Sequence, residues 1–105
     1  MDDETYELNG QHFVWDREKN LSNIEKHGFT FKVAAQAFLD QNAVLYEDEG
    51  HSTGEDRFIL IGLNKKDNLL TVCHCYRGRY ENKTVTRIFS ARKATKKEKH
   101  RYGGA

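Results

Sequence analysis

The 105-residue chain has no proline, no internal repeat and no Gly/Ser-rich linker, so nothing divides it, and its length suits one domain with one modest core. No apolar run approaches the ~20 residues of a membrane-spanning helix. The start, MDDETYELNG, is acidic, which a secretory signal peptide is not. Cysteine is scarce. Cys73 and Cys75 are the only two, and on a strand they share a face in a geometry unsuited to bonding each other. A disulfide framework is therefore excluded, and a reducing cytoplasm is the simpler setting. Zinc is disfavoured because there is no second Cys pair and alternation turns His74 away from both sulfurs. The acidic run Glu47-Asp48-Glu49 with Asp56 reads as a solvated loop rather than a magnesium site. No metal or cofactor is expected.

Positive charge is also thin over most of the chain. Residues 1–76 carry 7 Lys/Arg against 14 Asp/Glu, a balance of −7, whereas residues 77–105 carry 10 against 2, a balance of +8. The formal total of +1 hides an acidic body followed by a basic quarter. Such asymmetry points to a surface that faces a polyanion and an acidic surface open to a basic partner.

What is present orders into alternating elements. Residues 1–10 are polar and expected to be a flexible, loosely held segment, leaving 11–105 as a single domain. His12–Trp15 is a short aromatic strand. Asp16 reads as the N-cap of a helix near 17–27, with Leu21 and Ile24 at helical spacing, Lys26 and His27 in the last turn and Gly28 as its left-handed stop. Thr30 can cap a second helix, where Val33, Ala34, Ala37 and Phe38 form one stripe. The period then changes to that of strands: 43–47, 57–63, 69–76 and 84–91, joined by short polar turns that make neighbours antiparallel. Thr95-Lys96-Lys97-Glu98 has the form of a capping box, so a short helix begins there. The predicted fold is α+β, with order β-α-α-β-β-β-β-α: an antiparallel sheet, two N-terminal helices packed on it and a short C-terminal helix.

Three blocks, FVWDREKNLSNIEKHGFTFKVAAQAFLD, DEGHSTGEDRFILIG and RIFSARKATKKEKHRY, resemble the BrnT family of toxins from bacterial type II toxin–antitoxin pairs. They stand in the family's order and, with the strands between them, cover about residues 13–102. The resemblance implies a RelE-like fold and metal-independent RNA cleavage that stops translation. It also implies a hetero-oligomer with a BrnA-like antitoxin, whose ribbon-helix-helix module would carry the pair to operator DNA. Lys32 stands where family members often place an acidic residue, a difference confined to a helix surface.

RNA cleavage without a metal needs a base for the 2′-hydroxyl, cations for the charge that builds on phosphorus, and an acid for the leaving 5′-oxygen. The strand directions bring His51, Glu55, Arg57 and Arg77 toward one end of the sheet, while Arg92 lies toward the other. These five are the candidate catalytic group. Each also has a structural alternative: ion pairing for Arg57, an ordinary turn for Arg77, tethering the last helix for Arg92, pinning its own loop for His51, and orienting an arginine for Glu55. Trp15 can stack on a base or belong to the core. Lys96, Lys97 and Lys99 crowd the first turn of the last helix, where the helix dipole disfavours them. Contact with RNA phosphates explains that placement; a solvated basic tail is the alternative. The residues alone are equally compatible with a non-catalytic RNA-binding or protein-interaction module.

Overall fold

A computed structural model of the chain describes residues 2–51 and 56–103, with His51 described by its backbone alone. Among the described residues, six strands form one sheet in the order β1-β2-β6-β5-β4-β3. The strands are β1 (Asp3–Leu8), β2 (Gln11–Asp16), β3 (Val44–Glu47), β4 (Phe58–Leu63), β5 (Leu69–Tyr80) and β6 (Lys83–Lys93). Helix α1 (Arg17–His27) follows β2 directly, α2 (Phe31–Ala35) tightens into a 3₁₀ turn over Gln36–Leu39, and α3 (Lys96–Gly103) closes the described chain.

The local stop and start signals act as the sequence predicts. The Asp16 carboxylate accepts from the Glu18 N–H at 3.0 Å, and Gly28 ends α1 at φ 80°. The Thr30 hydroxyl accepts from the Val33 N–H at 3.1 Å and opens α2.

Three expectations are corrected. Residues 3–8, expected to be loosely held, form β1, which pairs with β2 from Asp3↔Asp16 to Leu8↔Gln11. The turn between them is Asn9-Gly10, with φ 50° and 81°, the two left-handed positions of a type I′ hairpin. The sheet is mixed rather than antiparallel, because β2 runs parallel to β6 through His12↔Val85, Phe13↔Thr86 and Val14↔Arg87. Short turns force antiparallel pairing only between consecutive strands, and β2 and β6 are joined by most of the chain. Finally, β5 and β6 continue past their predicted ends and meet at the two-residue turn Glu81-Asn82, so Arg77 lies on a strand rather than in a turn.

Helix α1 departs from its predicted stripe. Leu21 and Ile24 are 57% and 38% exposed, and the residue α1 buries is Asn23. Its amide nitrogen donates to Ala91 O at 2.8 Å and Phe29 O at 2.9 Å, while its oxygen accepts from the Ala91 N–H at 3.0 Å. Beyond its three pairs with β2, β6 would otherwise present an unpaired edge. One amide group supplies both the donor and the acceptor that a neighbouring strand would have offered; an aliphatic side chain has neither.

The core lies between the sheet and α2 with its 3₁₀ turn. Phe13, Trp15, Leu60, Leu70, Val72 and Ile88 meet Phe31, Ala34, Ala35 and Ala37. The alanines let this helical layer approach closely. At Gly62 on β4, a Cβ would stand 2.7 Å from Ala37 O, so only glycine fits without a shift. His74 is fully buried on the same side, its ring against Phe38. Nδ1 lies 3.2 Å from Val72 O, so Nδ1 holds the proton and Nε2 accepts from the Tyr76 hydroxyl at 3.2 Å. Burial lowers the His74 pKa to about 4, against the opposing effect of the Val72 hydrogen bond.

Candidate nucleic-acid interface

Strand alternation assigns the opposite face of the sheet. Register pairs Ile61 with Thr71, Ile59 with Cys73, Cys75 with Arg87 and Thr71 with Arg92. Cys73 and Cys75 therefore face one way and His74 the other, so the three do not converge on an ion.

Helix α3 sits on this face and is held by Glu98. The carboxylate accepts from Arg92 Nη1 and Nη2 at 2.7 and 2.9 Å, from the Thr71 hydroxyl at 2.9 Å and from the Thr95 N–H at 2.8 Å. The Thr95 hydroxyl returns the bond from the Glu98 N–H at 3.2 Å, completing the predicted capping box. The Arg92 hydrogen bond, assisted by the Thr95 and Thr71 bonds against partial burial, draws the Glu98 pKa down to about 2. The far end of α3 is tied by the Tyr102 hydroxyl, which donates to Asp40 Oδ2 at 2.6 Å. The helix thus presents Lys96, Lys97 and Lys99 as exposed side chains from an anchored first turn.

Arginines lie along the second half of β5, from Cys75 onward. Arg57 precedes β4 and lies with its guanidinium 4.4 Å from the centre of the Phe89 ring, which Lys19 also approaches at 5.3 Å. Phe89 is the extra residue where the β5–β6 register shifts between Cys73 and His74. Arg87 is the cross-strand partner of Cys75, and it donates to Asp3 through Nη1 at 3.2 Å and Nη2 at 3.1 Å. Arg77, on the extension of β5, contributes to the field that lowers the Asp3 pKa, the first cause being the Arg87 hydrogen bond.

Arg57 and Arg77 therefore lie at one end of the sheet. Arg92, opposite Thr71, is four residues back along β5 from Cys75, or about 13 Å at ~3.3 Å per residue. Arg92 does not join that group; its guanidinium is bound to Glu98 of α3. Trp15, weighed as a stacking platform, is 1% exposed with its indole N–H on Glu4 Oε1 at 2.8 Å, so neither ring face is open to a base. The His51 side chain and Glu55 lie outside the described residues. Sequence reasoning passed over Arg87 and Phe89. The signal for Arg87 was available in the alternation of β6, where Thr86 and Ile88 point inward and the arginine between them points out.

The arrangement is a basic face on a small α+β domain: arginines on a sheet and lysines at a helix N-terminus. Residues 15–98 match the model of the family described as ribonuclease toxin, BrnT, of type II toxin–antitoxin system. The fold is similar to the crystal structure of the Brucella abortus ribonuclease toxin BrnT, with 24% sequence identity and a TM-score of 0.57, covering 78% of this chain and 94% of that one. A comparison with curated proteins finds no match. The chain belongs to the BrnT family of ribonuclease toxins of type II toxin–antitoxin systems. Among the described residues, no helix is long and apolar enough to cross a membrane.

Proposed function

We propose that the protein is an endoribonuclease that cleaves RNA without a metal ion, on the sheet face that carries Arg57 and Arg77, and so inhibits translation in the cytoplasm. The observation that carries this reading is the placement of Arg57 and Arg77 at one end of a sheet whose other end holds the anchored lysines of α3. Arginine forks suit a phosphorus centre that gains negative charge, because two nitrogens can hold two oxygens. The Phe89 ring lies against the Arg57 guanidinium and helps to place it. The nucleophile is the RNA's own 2′-hydroxyl, which excludes DNA as substrate. His74 is buried on the other face and does not serve this chemistry; His51 and Glu55, on the segment that leads to Arg57, are the candidates to move protons. Arg92 positions α3, and Lys96, Lys97 and Lys99 track the backbone. A BrnA-like antitoxin with a ribbon-helix-helix module would neutralise the enzyme within a hetero-oligomer.

The test is incubation of the purified, antitoxin-free protein with RNA, with and without EDTA. Cleavage should survive EDTA and be lost in Arg57→Ala and Arg77→Ala with the fold intact. Changing Lys96 and Lys97 to Ala should shallow the salt dependence of RNA binding by about 0.7 in log–log slope per lost phosphate contact. Tight RNA binding with no cleavage by the unmodified protein would favour the non-catalytic module instead.

A further inference from the structure

The pair between Arg87 and Asp3 has the geometry in which arginine holds a phosphate. Two parallel N–H groups meet two oxygens of one acid, at 3.1 and 3.2 Å. The Arg87 side chain is only 14% exposed, whereas that of Asp3 is 46% exposed. The cation is set into the sheet face beside Cys75, and the anion sits over it from the solvent side.

Strand β1 has anchors other than Asp3 on the side turned to the core: Glu4 on the Trp15 indole, Tyr6 against the Trp15 ring at 5.9 Å, and Leu8 packed on the core. Alternation leaves Asp3, Thr5 and Glu7 on the other side, all exposed. Strand β1 also lies outside residues 15–98, the part that matches the family, whereas Arg87 lies within it. The first carboxylate of this acidic strand rests on a basic group of the face proposed to bind RNA. The Asp3 carboxylate is nearly half exposed, so an anion arriving from solvent meets it directly and can compete for the same two N–H groups.

We propose that Arg87 is a phosphate-binding residue of the RNA face and that Asp3 occupies it as a phosphate mimic, which RNA must displace to engage the whole basic cluster. The inference rests on the reading of that face as the RNA site. The N-terminal strand is then a built-in competitor that weakens RNA binding by the uncombined toxin. Release requires only rotation of the Asp3 side chain, since the backbone pairing with Asp16 does not depend on it.

The experiment measures binding of a single-stranded RNA oligonucleotide by fluorescence anisotropy across a salt series, with RNA cleavage and thermal unfolding recorded for each variant. Asp3→Asn keeps shape and removes charge. It should bind RNA about three- to tenfold more tightly at low salt, with the log–log salt slope steeper by about 0.7. In an Arg87→Ala background the same change should give no such gain. If Asp3→Asn lowers the unfolding temperature and leaves RNA affinity unchanged or weaker, the pair is structural and the inference fails. If that happens while Arg57→Ala still abolishes cleavage, the proposed function stands without it. If neither the unmodified protein nor Asp3→Asn binds RNA, both fall.

Discussion

The Glu98 carboxylate takes both terminal nitrogens of Arg92, at 2.7 and 2.9 Å, while also capping the helix that carries it. One acid thus joins α3 to the sheet and sets the direction in which its lysines point. Glu98→Gln should lower stability by about 1–3 kcal/mol, the range for losing a charged hydrogen-bond partner. The pH dependence has a definite sign. Glu98 ionises at about 2 when folded, against 4.5 ordinarily, so its stabilisation is complete above about pH 4.5 and drains away as pH falls toward 2. Denaturant midpoints across this window should fall in the unmodified protein and flatten in the variant.

His74 acts in an adjoining window. Buried and neutral, it has a folded pKa of about 4 against 6.5, so the unfolded chain takes up its proton first. Stability should therefore be complete above about pH 6.5 and decline as pH falls toward 4. His74→Phe retains an aromatic ring beside Phe38 and should remove the decline between pH 6.5 and 4.5. A midpoint that still falls over that interval would assign the effect to another group.

Asn23 is the third target. Asn23→Ala leaves the N–H and C=O of Ala91 without partners at a closed site and should cost about 2–4 kcal/mol. Asn23→Leu fills the volume but offers no hydrogen bond, so it should not restore stability. Amide exchange at Ala91 should accelerate in both variants, which separates an edge-capping role from simple packing.

Phe89 is expected to act through Arg57. Phe89→Leu keeps apolar bulk and removes the ring face, a change of about 0.5–1 kcal/mol for an exposed cation–π contact. RNA cleavage should drop two- to fivefold and Phe89→Tyr should restore it, while in an Arg57→Ala background the two Phe89 variants should bind RNA equally. Equal losses in both variants would show that packing at the bulge, rather than the guanidinium, is responsible.

What could be read from the sequence was local. Asp16, Gly28, Thr30 and the Thr95–Glu98 box are signals within a few residues, and each forms its expected bond. Asn9-Gly10 is an equally local hairpin signal, and it lies within the segment expected to be loosely held because it is polar. The parallel pairing of β2 with β6 and the bond from Asn23 to Ala91 join positions about 70 residues apart, and nothing near either partner announces the other. The last helix shows both cases in one side chain. The capping box predicts that Glu98 turns back to Thr95, but not that the same carboxylate also reaches across to Arg92. In the candidate site, the outward arginine of β6 follows from alternation alone, whereas its partner Asp3 becomes visible only once β1 exists.

Strand β1 has one more consequence, for association between copies. It is an outermost strand, and an exposed sheet edge is a template for a second chain. Here the edge carries Asp3, Glu4 and Glu7 within six residues. A second β1 laid against it would bring one acidic strand beside another, where like charges repel. The same acidic residues thereby guard the molecule against edge-to-edge aggregation.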